Sequence, residues 1–286
     1  MGSSVLLNGL IFARMWAQLD AGDKRQLRAV RRGVRALADG LVVALTLHES
    51  ATVFASALAR WPNLQRLASH CDDDCAAVIN AAPLCKLRSL VLEYHAELAS
   101  TYGSAISDLA PLGGCAKLKR LWIVSSQVSD LAPLRGCVEL QDLDISMSYS
   151  LGSLAGLEVF SKLERLNMLR LSVSSLEPLS ACGQLKDLNI SQCKALSSLA
   201  PLSACCQLER LNMAFCSSVS SFAPLSACTN LKKLNMSCCR SVPSVEPLAT
   251  CAQLEELTIF GLAIVGHLPG LAALKAAMPR LRVVKQ

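Results

Sequence analysis

The stretch from Leu185 to Leu257 decides the fold. It reads Leu-Lys-Asp-Leu-Asn-Ile at 185–190, Leu-Glu-Arg-Leu-Asn-Met at 208–213, Leu-Lys-Lys-Leu-Asn-Met at 231–236 and Leu-Glu-Glu-Leu-Thr-Ile at 254–259. The hexamers recur every 23 residues, with Cys182, Cys205, Cys228 and Cys251 three places before each first Leu. Cys193, Cys216 and Cys239 follow the hexamers, and Pro-Leu closes the period at 201–202, 224–225 and 247–248. A fixed period of this length is the signature of a solenoid. In Leu-x-x-Leu-x-Leu the apolar residues of a short strand alternate inward. One such strand cannot bury its apolar face alone, so successive repeats stack into a parallel ladder about 4.8 Å apart. The proline presets φ for a helical or 3-10 turn on the return side.

Extending the register outward, the first-Leu position falls at Val42, Leu64, Leu87, Leu118, Leu140, Leu163, Leu185, Leu208, Leu231, Leu254 and Leu281. About eleven coils are therefore expected. One step is long, between Leu87 and Leu118, and places an insertion at about 93–107 with Tyr94, His95 and Tyr102. Insertions leave a solenoid as loops on one face. At the far end, Leu268, Leu271, Leu274 and Met278 predict a helix stopped by Pro279, and Leu281-Arg282-Val283 a last strand. The expected organisation is 1–40 helical, 41–265 repeat array and 266–286 C-terminal cap.

The Cys-x-x-Leu-x-x-Leu-x-Leu-x-x-Cys pattern resembles the cysteine-containing leucine-rich repeats, and its short second half resembles the 22-residue class of that family. The resemblance implies an α/β solenoid: a leucine-rich repeat horseshoe with a parallel concave sheet, short helical or 3-10 convex turns, and a cap at each end.

Residues 1–40 carry no repeat. Leu6, Leu10, Ile11, Met15 and Trp16 fit one helical face, and Leu27, Val30, Val34, Leu37 and Leu41 a second. Trp16-Ala-Gln-Leu19-Asp20, Leu27-Arg28-Ala29-Val30-Arg31-Arg32 and Ala36-Leu37-Ala38 resemble an F-box. The Leu-Pro that opens that motif is absent, and Arg31 stands where Cys is common. The resemblance implies a Skp1-like adaptor held by Leu19, Leu27, Arg28, Val30 and Arg31. The plain alternative, compatible with it, is a helical cap sealing the solenoid. This segment has seven basic and three acidic residues, +4 of the chain's +6. Its stripe of Lys24, Arg28, Arg31 and Arg35 reads as a solvated face or as a surface for an acidic protein.

Composition bounds the rest. Apolar residues make up 52% and charged residues 17%, which excludes broad disorder, and aromatics at 4% limit base stacking. The 14 cysteines do not read as a disulfide framework. Cys115 and Cys137 share the column of Cys182, Cys205, Cys228 and Cys251, and Phe160 fills its seventh place, so the column is buried and apolar. Reduced thiols place the protein inside the cell, in cytoplasm or nucleus. No apolar run reaches the ~18 residues of a membrane span, and Val5–Ala13 lacks the basic flank of a signal peptide.

No motif carries chemistry. The four histidines are scattered, and no nucleophile elbow, phosphate loop or paired carboxylates appear. His70-Cys71-Asp72-Asp73-Asp74-Cys75 has a single Cys-x-x-x-Cys, short of the four ligands of structural zinc. Neither metal, cofactor nor enzymatic activity is expected.

Function then falls on the concave face. The residue before the second Leu reads Arg120, Asp142, Arg165, Asp187, Arg210, Lys233 and Glu256. Opposite charges on neighbouring strands are expected to pair, leaving little net field and no nucleic-acid surface. The next column reads Trp122, Asp144, Asn167, Asn189, Asn212, Asn235 and Thr258, the Asn run suggesting a cross-strand amide ladder. Trp122, Val124, Leu169 and Phe260 are exposed apolar candidates by register, and Trp122 is a plausible protein anchor. The expectation is a non-catalytic protein-binding module, monomeric or a subunit of a hetero-complex. The F-box resemblance implies substrate recruitment for a cullin-type ubiquitin ligase. The alternative is a structural subunit of a large assembly such as an axoneme, a ribosome-linked particle or a virion.

Overall fold

The computed structural model describes residues 44–47, 65–70, 79, 84–93, 106–261 and 268–285. Its strands are β1 (Ala44–Leu47), β2 (Arg66–His70), β3 (Ser89–Glu93), β4 (Arg120–Ile123), β5 (Asp142–Asp144), β6 (Arg165–Asn167), β7 (Asp187–Asn189), β8 (Arg210–Asn212), β9 (Lys233–Asn235), β10 (Glu256–Thr258) and β11 (Arg282–Val284). These eleven described strands form one open, parallel sheet in sequence order. Each inner strand pairs with the strand of the coil before and of the coil after. From β1 to β10 every strand begins two residues after the expected first Leu. That Leu belongs to the turn that delivers the strand: Leu185 N–H donates to the Cys182 carbonyl at 3.0 Å. The strands are therefore shorter than the hexamer suggests.

A second feature repeats at the strand exit. Ser125, Met147, Arg170, Gln192, Phe215 and Cys238 all have φ near +60°, and Gly261 continues the column at +68°. This left-handed residue swings the chain out of the sheet. Non-glycine residues pay for that bend in steric strain.

The return side is a stack of 3-10 turns, from Leu84–Lys86 to Glu246–Thr250. Most carry proline in their first turn. From Ala110–Leu112 onward each is preceded by an acceptor that the hydrophobic pattern did not single out. Asp108, Asp130, Ser153, Ser175, Ser198, Ser221 and Ser244 each accept the N–H two residues on, at 2.8–3.2 Å. These local side-chain bonds satisfy donors that a short 3-10 turn leaves open. At Gly136 the neighbouring coil is too close for a side chain: a Cβ would lie 2.1 Å from the Gly113 carbonyl oxygen.

One continuous core runs between the strands and the turns. It contains Leu121, Leu143, Leu166, Leu188, Leu211, Leu234 and Leu257 from the strands and Leu134, Leu157, Leu179, Leu202, Leu225 and Leu248 from the turns. The expected cysteine column is buried with it, and Phe160 is fully buried in its place. These thiols do more than fill space. Cys115, Cys137, Cys205, Cys228 and Cys251 donate to Leu84, Leu112, Leu179, Leu202 and Leu225 carbonyls of the preceding coil at 3.1–3.5 Å. Cys193, Cys216 and Cys239 do the same to Met168, Ile190 and Met213 at 3.0–3.2 Å. A thiol is a weak donor, and here it adds a bond between coils to carbonyls that already accept a backbone N–H within their own coil.

At the end of the array, α1 (Leu271–Ala277) buries Leu271 and Leu274 against the last turn, and Leu268, Met278 and Leu281 close the core around it. The N-terminal segment 1–40, the insertion residues 94–105 and Cys71–Cys75 lie outside the described residues.

Candidate functional site

The solvent face of the sheet is polar, and its register sets the site. Arg66, Ser89, Arg120, Asp142, Arg165, Asp187, Arg210, Lys233, Glu256 and Arg282 are cross-strand partners in one column. Asp142 is its centre. Only 6% exposed, it accepts from Arg120 Nε at 3.0 Å and from Arg165 Nε and Nη2 at 3.1 and 2.9 Å. Its other oxygen, Oδ1, accepts Trp122 Nε1 at 3.0 Å. The Arg120 guanidinium lies 5.5 Å from the centre of the Trp122 ring. Charge-assisted bonds to a buried carboxylate are strong, so both arginines and the indole are held in one orientation.

Farther along, Arg210 pairs with Asp187 at 2.8 Å, and Glu256 lies between Lys233 and Arg282. A neighbouring row pairs Lys186 with Glu164 and Lys232 with Glu209. These pairs are half-exposed and screened by solvent, so each contributes little.

The expectation of little net field fails in one region. The ladder alternates from Arg120 to Arg210 and again from Lys233 to Arg282, with like charges facing at Arg210–Lys233; at the other end Ser89 stands where the next carboxylate would sit, with Arg66 beyond it. The full column holds six basic and three acidic residues, a difference of +3. The excess concentrates on β2–β6.

The amide ladder is also corrected. Among the described residues, the cross-strand bond in that column is Asn167 Nδ2 to Asp144 Oδ2, at 2.7 Å. The side-chain oxygens mainly turn inward along their own coil. Asn189 Oδ1 accepts Ser191 N–H at 3.0 Å and Oγ at 2.7 Å, Asn235 does the same for Ser237, and Asp144 accepts the N–H of Ser146. The Asn column thus stabilises the turn out of each strand.

Of the apolar candidates, Phe260 is 51% exposed, while Trp122, Val124 and Leu169 are half-buried. The structure adds Phe215, 45% exposed beside Cys238 in the left-handed column, and Tyr149. Sequence periodicity could not find Phe215, because the αL position is not part of the apolar register. Leu19, Leu27, Arg28, Val30 and Arg31 lie outside the described residues. Among the described residues, no cluster of three His, Cys, Asp or Glu side chains could hold a metal, and no helix is long and apolar enough to cross a membrane.

No protein-family model and no curated protein matches the chain. Solved structures do. An internalin, InlF, from Listeria monocytogenes superposes with a TM-score of 0.69 at 18% identity, over 85% of this chain and 66% of that one. This chain thus spans just under two thirds of that structure. A second Listeria internalin, InlC2, gives a TM-score of 0.56 at 18% identity over 76% of this chain and 80% of that one. The fold is a leucine-rich repeat solenoid. At this identity the likeness concerns the fold alone.

Proposed function

We propose that this leucine-rich repeat solenoid is a non-catalytic protein-interaction module whose partner docks on the solvent face of the sheet. The observation that carries the reading is the Asp142 cluster. It immobilises Arg120, Trp122 and Arg165 before any partner arrives. Arg and Trp are the residue types enriched at binding hot spots, and pre-ordering them lowers the entropic cost of association. Arg120, Trp122, Asp142, Asp144, Arg165, Arg210 and Lys233 form this surface, with Val124, Leu169 and Phe260 at its strand-exit margin.

The finer reading adds an F-box-like segment over 1–40 that holds a Skp1-like adaptor, making the chain a substrate-recruiting subunit of a cullin-type ubiquitin ligase. Its support is the Leu19-Asp20 and Leu27–Arg32 pattern and the +4 charge of that segment. The cysteines support an intracellular setting: the twelve described ones are free thiols, nine of them buried.

Affinity purification with crosslinking tests both levels. A stoichiometric protein partner is expected on the parent and lost from Trp122→Ala with Arg165→Glu. Recovery of Skp1 and cullin homologues that disappears with Arg28→Glu and Arg31→Glu supports the ligase reading. Recovery of a fixed multi-subunit assembly without them replaces it with the structural-subunit reading. Absence of any partner sinks the proposal.

A further inference from the structure

The alternating ladder is interrupted at Ser89, and that interruption builds a site. Between β4 and β6, Asp142 neutralises Arg120 and Arg165. Between β2 and β4 the corresponding position is Ser89, flanked in register by Arg66 and Arg120. One place earlier in the coils, where Glu164 and Glu209 stand farther along, this region has Arg88 and Lys119. These residues line a recess of about 460 Å³ with Gln141, Asp142 and Arg165. Its charged lining is Arg66, Arg88, Lys119, Arg120 and Arg165 against Asp142 alone, a net +4. Arg66 and Arg88 have no carboxylate partner among the described residues, and both are exposed. Lys119 is shared with the field of Glu139, whose carboxyl is held below its usual range chiefly by Lys162.

We propose that this recess binds a carboxylate-rich segment of the protein partner, laid across β2–β6 with an acidic side chain over Ser89. The inference rests on the protein-interaction reading and names the chemistry of its ligand. A carboxylate at that point would sit between Arg66 and Arg120 as Asp142 sits between Arg120 and Arg165. The scaffold thus already shows the pairing it offers to a ligand. Guanidinium forks suit carboxylates bidentately. A single-stranded nucleic acid fits less well. Base binding needs free aromatic faces; the one aromatic at the recess margin, Trp122, has its N–H on Asp142 and Arg120 against its ring. The basic run also spans only about 20 Å, four strand spacings, before Asp187 and Glu164 interrupt it.

The test uses the full chain and a fluorescent oligoglutamate peptide, read by anisotropy. Oligoglutamine of equal length and an oligothymidylate of equal charge serve as comparisons. Oligoglutamate is expected to bind in a salt-dependent manner and oligoglutamine not to bind. Ser89→Glu, which supplies the missing carboxylate internally, is expected to weaken binding about tenfold with an unchanged melting temperature. Arg66→Gln with Arg88→Gln should do at least as much, and covers the case in which Ser89→Glu folds poorly. Lys275→Glu, on α1, should change binding less than about twofold. The proposal is overturned if oligoglutamate fails to bind, if Lys275→Glu weakens binding as much as Ser89→Glu, or if oligothymidylate binds more tightly than the peptide. If Trp122→Ala with Arg165→Glu abolishes partner capture while Ser89→Glu leaves it intact, the recess proposal fails and the interaction reading stands.

Discussion

Trp122 and Asp142 are joined across adjacent coils: the indole Nε1–H donates to Oδ1 at 3.0 Å. The bond determines which way the largest side chain on the sheet face points. A double-mutant cycle measures it. Trp122→Phe keeps a ring and removes the donor; Asp142→Ala removes the acceptor. The coupling energy is expected at about 0.5–1.5 kcal/mol in urea denaturation. A coupling near zero would mean that packing alone orients the indole.

The same carboxylate holds two arginines. Asp142→Ala is expected to cost about 2 kcal/mol, since a buried acceptor of several donors is lost while the cations remain half-solvated. Leu143→Ala, one residue on and fully buried, should cost more, about 3–4 kcal/mol. Reversal of that order would deny Asp142 its place at the centre of the site.

Phe215 adopts φ +63° with its side chain 45% exposed. Asn tolerates the αL region where an aromatic side chain is strained. Phe215→Asn is therefore expected to stabilise the fold by about 0.5–1 kcal/mol in urea denaturation, with little burial lost. One column step on, Gly261→Ala should destabilise by about 2 kcal/mol, because φ is +68° and the added Cβ would meet Cys238 Sγ at 2.5 Å. Cys238→Ala in the same chain should recover part of that loss; no recovery would place the strain in the backbone alone.

The buried thiols make stability pH-dependent. Burial, with neighbouring thiols adding, pushes Cys115, Cys182 and Cys228 up to about 12. Burial likewise raises Cys216 and Cys239 to about 12, and Cys137, Cys193 and Cys205 to about 11. An unfolded thiol ionises near its ordinary value of about 9. The folded pKa is the higher one, so this stability is fully present below about pH 9 and lost as pH rises through about 11–12. The urea midpoint should be flat from about pH 6 to 8 and fall steeply above about pH 9. A flat profile to about pH 10.5 would show that the thiols are not buried in this way.

Thiol accessibility gives a residue-level check. Under native conditions Cys85 and Cys206 should alkylate first and Cys238 more slowly, while the nine buried thiols react only in denaturant. Peptide mass mapping reads each site. Rapid native labelling of Cys216 or Cys228, or their recovery as disulfides, would contradict the stacked core.

Much of this was written in the residue pattern. The 23-residue recurrence of Leu185, Leu208 and Leu231 specifies strands, their parallel order and their register, because each coil touches only its neighbours and a local repeat propagates along the stack. The buried cysteine column was legible for the same reason: Phe160 shares it. Arg120, Asp142 and Arg165 were legible as a charge ladder, since cross-strand neighbours on one face are set by register.

Only the tertiary structure decided what those columns do. Asp142 could have shared its charge evenly along the ladder; instead it gathers Arg120, Arg165 and Trp122, because side-chain length and rotamer, which a one-dimensional pattern does not carry, choose among several partners within reach. The Asn column turned its oxygens onto its own coil, where the N–H and hydroxyl of Ser191 and Ser237 donate. The uncompensated charge around Ser89 appeared only when Arg66 and Arg88 were brought into one recess with Lys119 and Arg120. Those residues are up to 54 positions apart in the chain, and the field at a surface is a sum over space, not over sequence.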